Sequence, residues 1–396
     1  MTTATAPAPV EAAASAAPLT EREQLIAAAR EWGYFTGSIK TRRDLWRGRR
    51  MLDVGMGAGP HSISFIEGGA VSYVGVDPFV GTTHVRDFRN QKDPTHPGYH
   101  AFPFTTDDIM RIYPNVHLYS NFLEDAADQV RQHKVDIAIL AAVTEHLQHP
   151  AEVIRSIWEV LDRRGLLWIS HCNYYSWSGH HRLPRSVERW DTAKDEQNKH
   201  VDWQHLEPTH PDYVNKNFNR VRVEDLRVLI AKYFEIVEWK VVVHALPRLT
   251  PEIRNRWKQY SLEELLGQNF YITARRRDLP LDIDLSDRQF HHPSADYLAY
   301  RDYSEEPIEP YELCNSVYFS RVDEICSHTD NNSAGLRVFA RLKPGDKIVL
   351  RKFTYEVEAS VAEIVQPVGG QLRIKISKPV APELIEGNHD QWTIEF

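Results

Sequence analysis

The sequence predicts an α/β protein: a largely parallel sheet covered by helices on both faces, followed by a small all-β region. Two observations carry this prediction. From Arg50 to about Arg277, short apolar strands alternate with amphipathic helices, the pattern of a sheet buried on both sides. From about Leu336 the helical period disappears, and Leu372-Arg373-Ile374-Lys375-Ile376 alternates apolar and polar side chains, the period of a half-buried strand. With 396 residues, of which 42% are hydrophobic, the chain is long enough for two or three ordinary domains with sizeable cores.

Residues 1–18, MTTATAPAPVEAAASAAP, are rich in Ala and Pro. They lack a cation near Met1, and Pro7, Pro9 and Glu11 break any apolar core, so they read as a disordered tail and not as a secretory leader. A methyl-rich helix follows: Thr20 and Glu23 have capping-box spacing ahead of Leu25, Ile26 and Ala29. Arg50 to Val54 reads as a buried strand that runs into Gly55-Met56-Gly57-Ala58-Gly59, then a helix over 60–67 opened by Pro60. Ser72 to Val76 is a second strand ending at Asp77, Val116 to Tyr119 a third, and Val135 to Val143 a fourth. A helix over 151–161 and a fifth strand from Leu166 to Ser170 come next. A helix marked by Leu226, Leu229 and Ile230 leads to two closing strands, 234–243 and 270–274, read as an antiparallel pair. Residues 19–277 are therefore expected to form the main domain, 278–335 an irregular linker, and 336–396 a small β domain.

Composition excludes several classes. Lys plus Arg number 47 against 55 Asp plus Glu, a formal charge of −8, which argues against general adhesion to nucleic acid or anionic membrane. The longest apolar run, Ile137 to Val143, has seven residues, far short of the roughly 20 of a membrane-spanning helix. Cys172, Cys314 and Cys326 are odd in number and form no CxxC pair, the pattern of neither a disulfide framework nor a thiolate zinc site. No metal is expected, and the expected compartment is the cytoplasm.

The segment Asp53-Val54-Gly55-Met56-Gly57-Ala58-Gly59 carries the chemistry. Glycines at a strand-to-helix turn permit close backbone approach, free amides at a helix start suit an anion, and an acid ending the next strand can accept two hydrogen bonds from a ribose diol. Three readings compete: a turn required only for packing, a nicotinamide site, and a G-x-G-x-G cofactor site. Pro60 stands where the GxGxxG fingerprint needs its third glycine, so the nicotinamide reading fails.

The stretches LDVGMGAGPHS and YVGVDPF resemble the first two motifs of class I S-adenosylmethionine-dependent methyltransferases. VDIAILAAVTEHLQHPAEVIRSIWEVLDRRGLLWIS resembles the fourth strand, helix and fifth strand of the type-11-like branch, with Glu145-His146 and Pro150 in place and Arg164 replacing a glycine. The likeness covers roughly Trp32 to Arg277. It implies a seven-stranded Rossmann-like sheet and S-adenosyl-L-methionine as cofactor. It further implies that Asp53, Gly55, Gly57 and Gly59 line the methionine part, that Asp77 holds the ribose hydroxyls, and that Pro78 and Phe79 flank the adenine. In much of the family an acid after the third strand meets the adenine amino group, and here that region reads Ser120-Asn121-Phe122-Leu123-Glu124-Asp125. Asn121, whose amide oxygen can accept a hydrogen bond, takes that role here, with a plain turn residue the alternative.

Methyl transfer to a hydroxyl needs orientation and a base. Six of the nineteen histidines fall between His171 and His210, where an even spread would give about two, among Tyr174, Tyr175, Trp177, Trp190 and Trp203, faces able to hold a sugar. His180 and His181 are the candidate bases, with a reference pKa of about 6.5. His171 is either catalytic or a core histidine; Glu145-His146 is partly structural, closing the pocket below the methyl group, and Glu145 is a further catalytic candidate. The His200, His205 and His210 spacing fits neither one helix face nor a zinc motif. A [DN]-P-P-[YF] segment is absent after the fourth strand, which disfavours nucleobase amines as acceptors. The favoured acceptor is a small molecule or sugar, by O-methylation. The basic stretch Lys40 to Arg50 leaves RNA methylation open, and a non-catalytic cofactor-binding scaffold is the other alternative.

Overall fold

The computed structural model describes residues 19–35, 43–57, 59–78, 80, 102–210, 218–305, 316–321, 323–327, 342–352, 355–368, 371–380 and 392–395. Seven strands form one sheet: β1 (Arg50–Val54), β2 (Ser72–Val76), β3 (Val116–Tyr119), β4 (Ile137–Ala141), β5 (Leu166–Cys172), β6 (Phe234–Val243) and β7 (Gly267–Arg276). Their order is β3-β2-β1-β4-β5-β7-β6. Strands β1 to β5 pair in parallel, while β7 runs antiparallel to both β5 and β6. The sheet is the seven-stranded, Rossmann-like one that the sequence implies.

Alternation along each strand divides the core in two. Leu52, Val54, Val74, Val76, Leu140 and Ile169 face one side, against helices Leu123–Arg131, Pro150–Val160 and Val223–Tyr233. Met51, Tyr73, Ile137 and Ile139 face the other, against Glu21–Glu31, His61–Glu67 and Thr106–Ile112. The first of those helices carries the expected capping box between Thr20 and Glu23. Strand β4 is shorter than the apolar run suggests, because Ala142 turns to φ 53°, a backbone state that ends pairing. Arg50 anchors the start of β1 by bonding Asp136 and Asp162 at 2.5 and 2.7 Å.

Two departures concern the second half. Residues 278–305 are not a loose linker, because they pack back on helix Val223–Tyr233. Asp225, fully buried, accepts hydrogen bonds from Arg288, Arg301 and the Tyr297 hydroxyl. Lys232 donates to the Ile283 carbonyl and receives Leu281 N–H at its own. The β domain also begins earlier than residue 336. Strands β8 (Ser316–Arg321) and β9 (Glu324–Ser327) join β10 (Lys347–Lys352), β11 (Tyr355–Val368), β12 (Gln371–Ile376) and β13 (Trp392–Glu395). Together they close a barrel in the order β10-β11-β12-β9-β8-β13, which removes the unpaired edges a small sheet would expose. Ile325, Ile348, Leu350, Val361 and Ile374 fill its core. No helix among the described residues is long and apolar enough to cross a membrane.

These packing facts move the separable boundary. Residues 19–305 should unfold in urea as one cooperative unit. Ending the chain at Arg277 removes three partners of buried Asp225 and should lower stability by roughly 1–3 kcal/mol. Equal urea midpoints for the two truncations would show that the 278–305 segment contributes nothing.

Candidate functional site

Strand order reverses between β1 and β4, and ligands of such sheets bind beyond the strands' carboxyl ends at that reversal. A cleft of about 180 Å³ opens there, lined by Gly55, Asp77, Pro78, Asn121, Phe122, Val143 and His146, among others. Gly55, Gly57 and Gly59 have φ of 75°, 63° and 83°, where a side chain would be strained. At Gly55 the constraint is also steric: a Cβ there would lie 2.2 Å from Val143 Cγ2. At Gly57 nothing lies within 4 Å of the same position, so the turn is open on that side. The Gly57 N–H donates to Asp77 Oδ2 at 2.9 Å, which aims the acid at the end of β2. Gly59 serves packing, since a Cβ would meet Leu118 Cδ1 at 3.0 Å.

The expected cofactor residues therefore divide. Gly55, Asp77, Pro78 and Asn121 line one cleft, and Gly57 shapes it through Asp77. Phe79 lies outside the described residues. Asp53 does not line the cleft. By strand alternation it faces the Met51 and Tyr73 side of the sheet, buried, and accepts the Tyr73 hydroxyl at 2.6 Å. Burial, with the nearby Asp77 charge adding, pushes its carboxyl up to about 7 against the Tyr73 hydrogen bond. Phe122, which the sequence reading passed over, is 41% exposed in the cleft. Its signal was its place just before the helix that follows β3.

The ends of β4 and β5 build the facing wall. Thr144–His146 forms one helical turn after β4. Asn219 holds that turn, donating its side-chain N–H groups to the Thr144 and Leu147 carbonyls at 2.6 and 3.0 Å. Its backbone N–H donates to the Glu145 carbonyl at 2.8 Å. Asn173 does the same after β5, donating to Glu264 and Gly267 carbonyls at 2.7 and 2.6 Å. A Cβ at Gly179 would lie 1.9 Å from the Tyr174 carbonyl oxygen, so the loop can fold back only with glycine there. This brings Glu145, Cys172 and His181 together, with one ligand-type atom of each within 4.8 Å of the others. His171 Nδ1 stands 4.0 Å from Glu145 Oε2.

A second, polar cavity of about 120 Å³ lies beside this group, lined by Cys172, Asn173, Ser176, Ser178, His181, Arg185, Gln268 and Asn269. Glu145 is buried, which raises its carboxyl above the ordinary range, although its own amide, His146 and Cys172 pull the other way. Burial, helped by His146 and Arg185, lowers His181 to about 4, so its imidazole is neutral at pH 7. Burial also pushes the Cys172 thiol up, and the Glu145 charge adds to this.

Two expected histidines do not reach an open cavity. His180 is buried, and its Nδ1 accepts the Arg182 N–H at 3.0 Å, which occupies the lone pair a base would use. It stacks on His200 and meets His205 edge-on, a structural histidine. His171 is sealed behind Glu145, 2% exposed, and burial lowers it to about 3. His146, which the sequence reading treated as structural, lines the cofactor-type cleft and lies 4.0 Å from Glu145. Of the basic stretch, Lys40 and Arg42 fall outside the described residues, and Arg50 is committed to Asp136 and Asp162.

A glycine turn, an acid ending β2 and a cleft at the sheet's reversal, on this strand order, define a class I methyltransferase fold. Residues 28–221 match the model of a family described as a methyltransferase domain. The match covers just under half of the chain and shows a methyltransferase domain within its α/β part. No curated protein matches the chain. Among solved structures, it is similar to an S-adenosylmethionine-dependent methyltransferase from Mesorhizobium loti, at 15% identity over 59% of this chain and 93% of that one, TM-score 0.33. A second, from Archaeoglobus fulgidus, is 17% identical over 65% and 95%, TM-score 0.30. The 1,6-didemethyltoxoflavin-N1-methyltransferase of Burkholderia thailandensis is 15% identical over 66% and 93%, TM-score 0.31.

Asp53 gives a pH test. Its carboxyl ionises near 3.8 when unfolded but near 7 when folded, so the folded chain keeps a proton that the unfolded chain releases. Stability from this group is full below about pH 4 and falls as pH rises to 7. Asp53→Asn keeps an acceptor for Tyr73 and removes that slope, so its advantage over the parent should grow by on the order of 3 kcal/mol across the window. Urea unfolding at several pH values checks this, and parallel stability curves would place the Asp53 pKa near its ordinary value.

Proposed function

We propose that the chain transfers the methyl group of S-adenosylmethionine to a hydroxyl of a small polar acceptor, sugars and glycans included. The supporting observation is a single wall shared by two cavities. His146 lines the cleft that holds Gly55 and Asp77. Glu145 beside it meets Cys172 and His181, and these two line the polar cavity. A cofactor in the first cleft and an acceptor in the second would meet at Glu145 and His146.

When bound, the cofactor supplies a methyl group on a sulfonium, a good leaving group. The chain supplies position. Asp77 accepts the two ribose hydroxyls, Asn121 accepts an adenine amino hydrogen, and Pro78 and Phe122 flank the base. The backbone at Gly55 passes close to the methionine part, where a side chain would already collide with Val143. On the other side, Arg185, Gln268 and Asn269 offer hydrogen-bonding groups spaced around one cavity, suited to an acceptor with several hydroxyls. The reacting hydroxyl sits at the mouth of the group formed by His181, Cys172 and Glu145. The free thiol of Cys172 fits a cytoplasmic setting. The RNA reading loses Arg50, which the fold already uses.

Asp77→Ala should weaken cofactor binding by about 1.5–3 kcal/mol, the worth of hydrogen bonds to a charged acceptor. Calorimetry with S-adenosylhomocysteine measures it, and an unchanged affinity would take Asp77 out of the site. His181→Ala should lower turnover by a factor of roughly 10² to 10⁴ and leave cofactor affinity intact. The assay is mass spectrometry of hydroxylated acceptors after incubation with labelled cofactor. Full turnover in that variant would move the reacting group away from the polar cavity.

A further inference from the structure

Glu145, Cys172 and His181 come from three separate segments: the turn after β4, the last residue of β5 and the loop beyond it. They bring one carboxylate, one thiol and one imidazole to a single point. Two features mark the group as unfinished. Among the described residues Glu145 Oε2 has no hydrogen-bond partner although its side chain is only 3% exposed. The imidazole of His171 behind it is likewise without a partner at both nitrogens and 2% exposed. A buried polar atom left unpaired costs about 1–3 kcal/mol, and native folds rarely keep one without a use.

We propose that Glu145, Cys172 and His181 bind one divalent transition-metal ion, zinc by their donor chemistry, with a fourth position open to the polar cavity. Sulfur, nitrogen and oxygen donors together select zinc over magnesium or calcium, which take oxygen alone. Ligands of a tetrahedral zinc ion at bond lengths of 2.0–2.3 Å stand about 3.5 Å apart. The 4.8 Å limit on this group therefore asks for a closure of about 1 Å, within reach of side-chain rotation. Three protein ligands with one open position is the arrangement of a catalytic zinc, not a structural one. The opening faces Cys172, His181 and Arg185 in the polar cavity. His171, 4.0 Å from Glu145 Oε2, is placed to steady the carboxylate as outer partners of metal ligands do.

The role of the ion rests on the methyl-transfer reading, although its binding does not. An acceptor hydroxyl in the open position is polarised and gives up its proton to solvent at lower pH. The oxygen lone pair then forms the new bond to the methyl carbon. The carbon–sulfur bond breaks with its pair on sulfur, leaving a neutral thioether and a methyl ether.

The test uses the tag-free full chain, stripped with a chelator and titrated with zinc or cobalt(II). One ion per chain is expected, with a thiolate-to-cobalt charge-transfer band in the cobalt form. Cys172→Ser should abolish that band, and His181→Gln, in the less buried loop, should weaken zinc binding at least tenfold. Less than one ion per chain at micromolar zinc, a cobalt form without the band, or undiminished affinity in both variants would overturn the site. S-adenosylhomocysteine affinity is measured alongside. Its survival in Cys172→Ser separates failure of the metal site from failure of the methyl-transfer reading. Loss of turnover on chelation, restored by zinc, supports the role in the reaction, and turnover untouched by chelation overturns that role.

Discussion

The functional half of this molecule depends on one close approach, between the backbone at Gly55 and the side chain of Val143. The first follows β1 and the second follows β4, the two strands that flank the sheet's reversal. Because residue 55 has no Cβ, the two strand ends can converge to a separation that any side chain would forbid. Its φ of 75° turns the chain away from the strand direction at the same place. The turn that follows delivers the Gly57 N–H to Asp77, so a steric permission at β1 becomes an electrostatic placement at β2. Cleft, acid and opposing wall thus share one origin.

The opposing wall is held differently. Strand ends after β4 and β5 continue as loops, whose backbone groups must find partners outside the sheet. Two asparagines supply them. Asn219 reaches across 75 residues of sequence to the Thr144 carbonyl, and Asn173 across 91 to that of Glu264. Glu264 in turn forms a buried two-point ion pair with Arg222, at 2.5 and 2.6 Å. A buried pair of this kind adds little net stability but is costly to break from one side, which suits it to fixing geometry. The turn bearing Glu145 and the loop that leads to His181 are therefore tied to backbone and side-chain groups far away in the sequence.

Strands β1, β2 and β3 were legible to the residue, because each is a short segment with three large apolar or aromatic side chains between glycine, proline or polar breaks. The glycine turn and the acid ending β2 were legible because they lie close together in the sequence, whereas the other residues lining the cleft come from beyond β3 and β4. Asp53 was misplaced for a physical reason: motif proximity says nothing about which face of a strand a residue takes, and alternation turns it toward Tyr73. The barrel strands Ser316–Arg321 and Glu324–Ser327 were missed because four to six residues give too short a period to register. The group at Glu145, Cys172 and His181 could not be found by spacing at all. Metal motifs are read from ligands a few residues apart, and here the intervals are 27 and 9 residues, set by a strand crossing and a folded-back loop.

That last group also explains a pattern in the histidines. Their enrichment between 171 and 210 suggested a reservoir of bases, yet most of them solve packing problems. His180 caps a loop through Nδ1, His205 bonds the Tyr174 carbonyl at 2.8 Å, and His210 bonds the Lys199 carbonyl at 2.9 Å. A neutral imidazole can stack like an aromatic ring while serving one backbone group, which makes it economical in a loop-rich wall. Against that background His171 differs, because neither of its ring nitrogens has a partner among the described residues. Its Nδ1 stands 4.0 Å from Glu145 Oε2, which is also unpaired although the Glu145 carboxyl group bonds its own amide and Cys172. The unpaired Glu145 oxygen, beside a thiol and an imidazole, is the position that a ligand completing the coordination fills, since unsatisfied buried groups persist where function requires them.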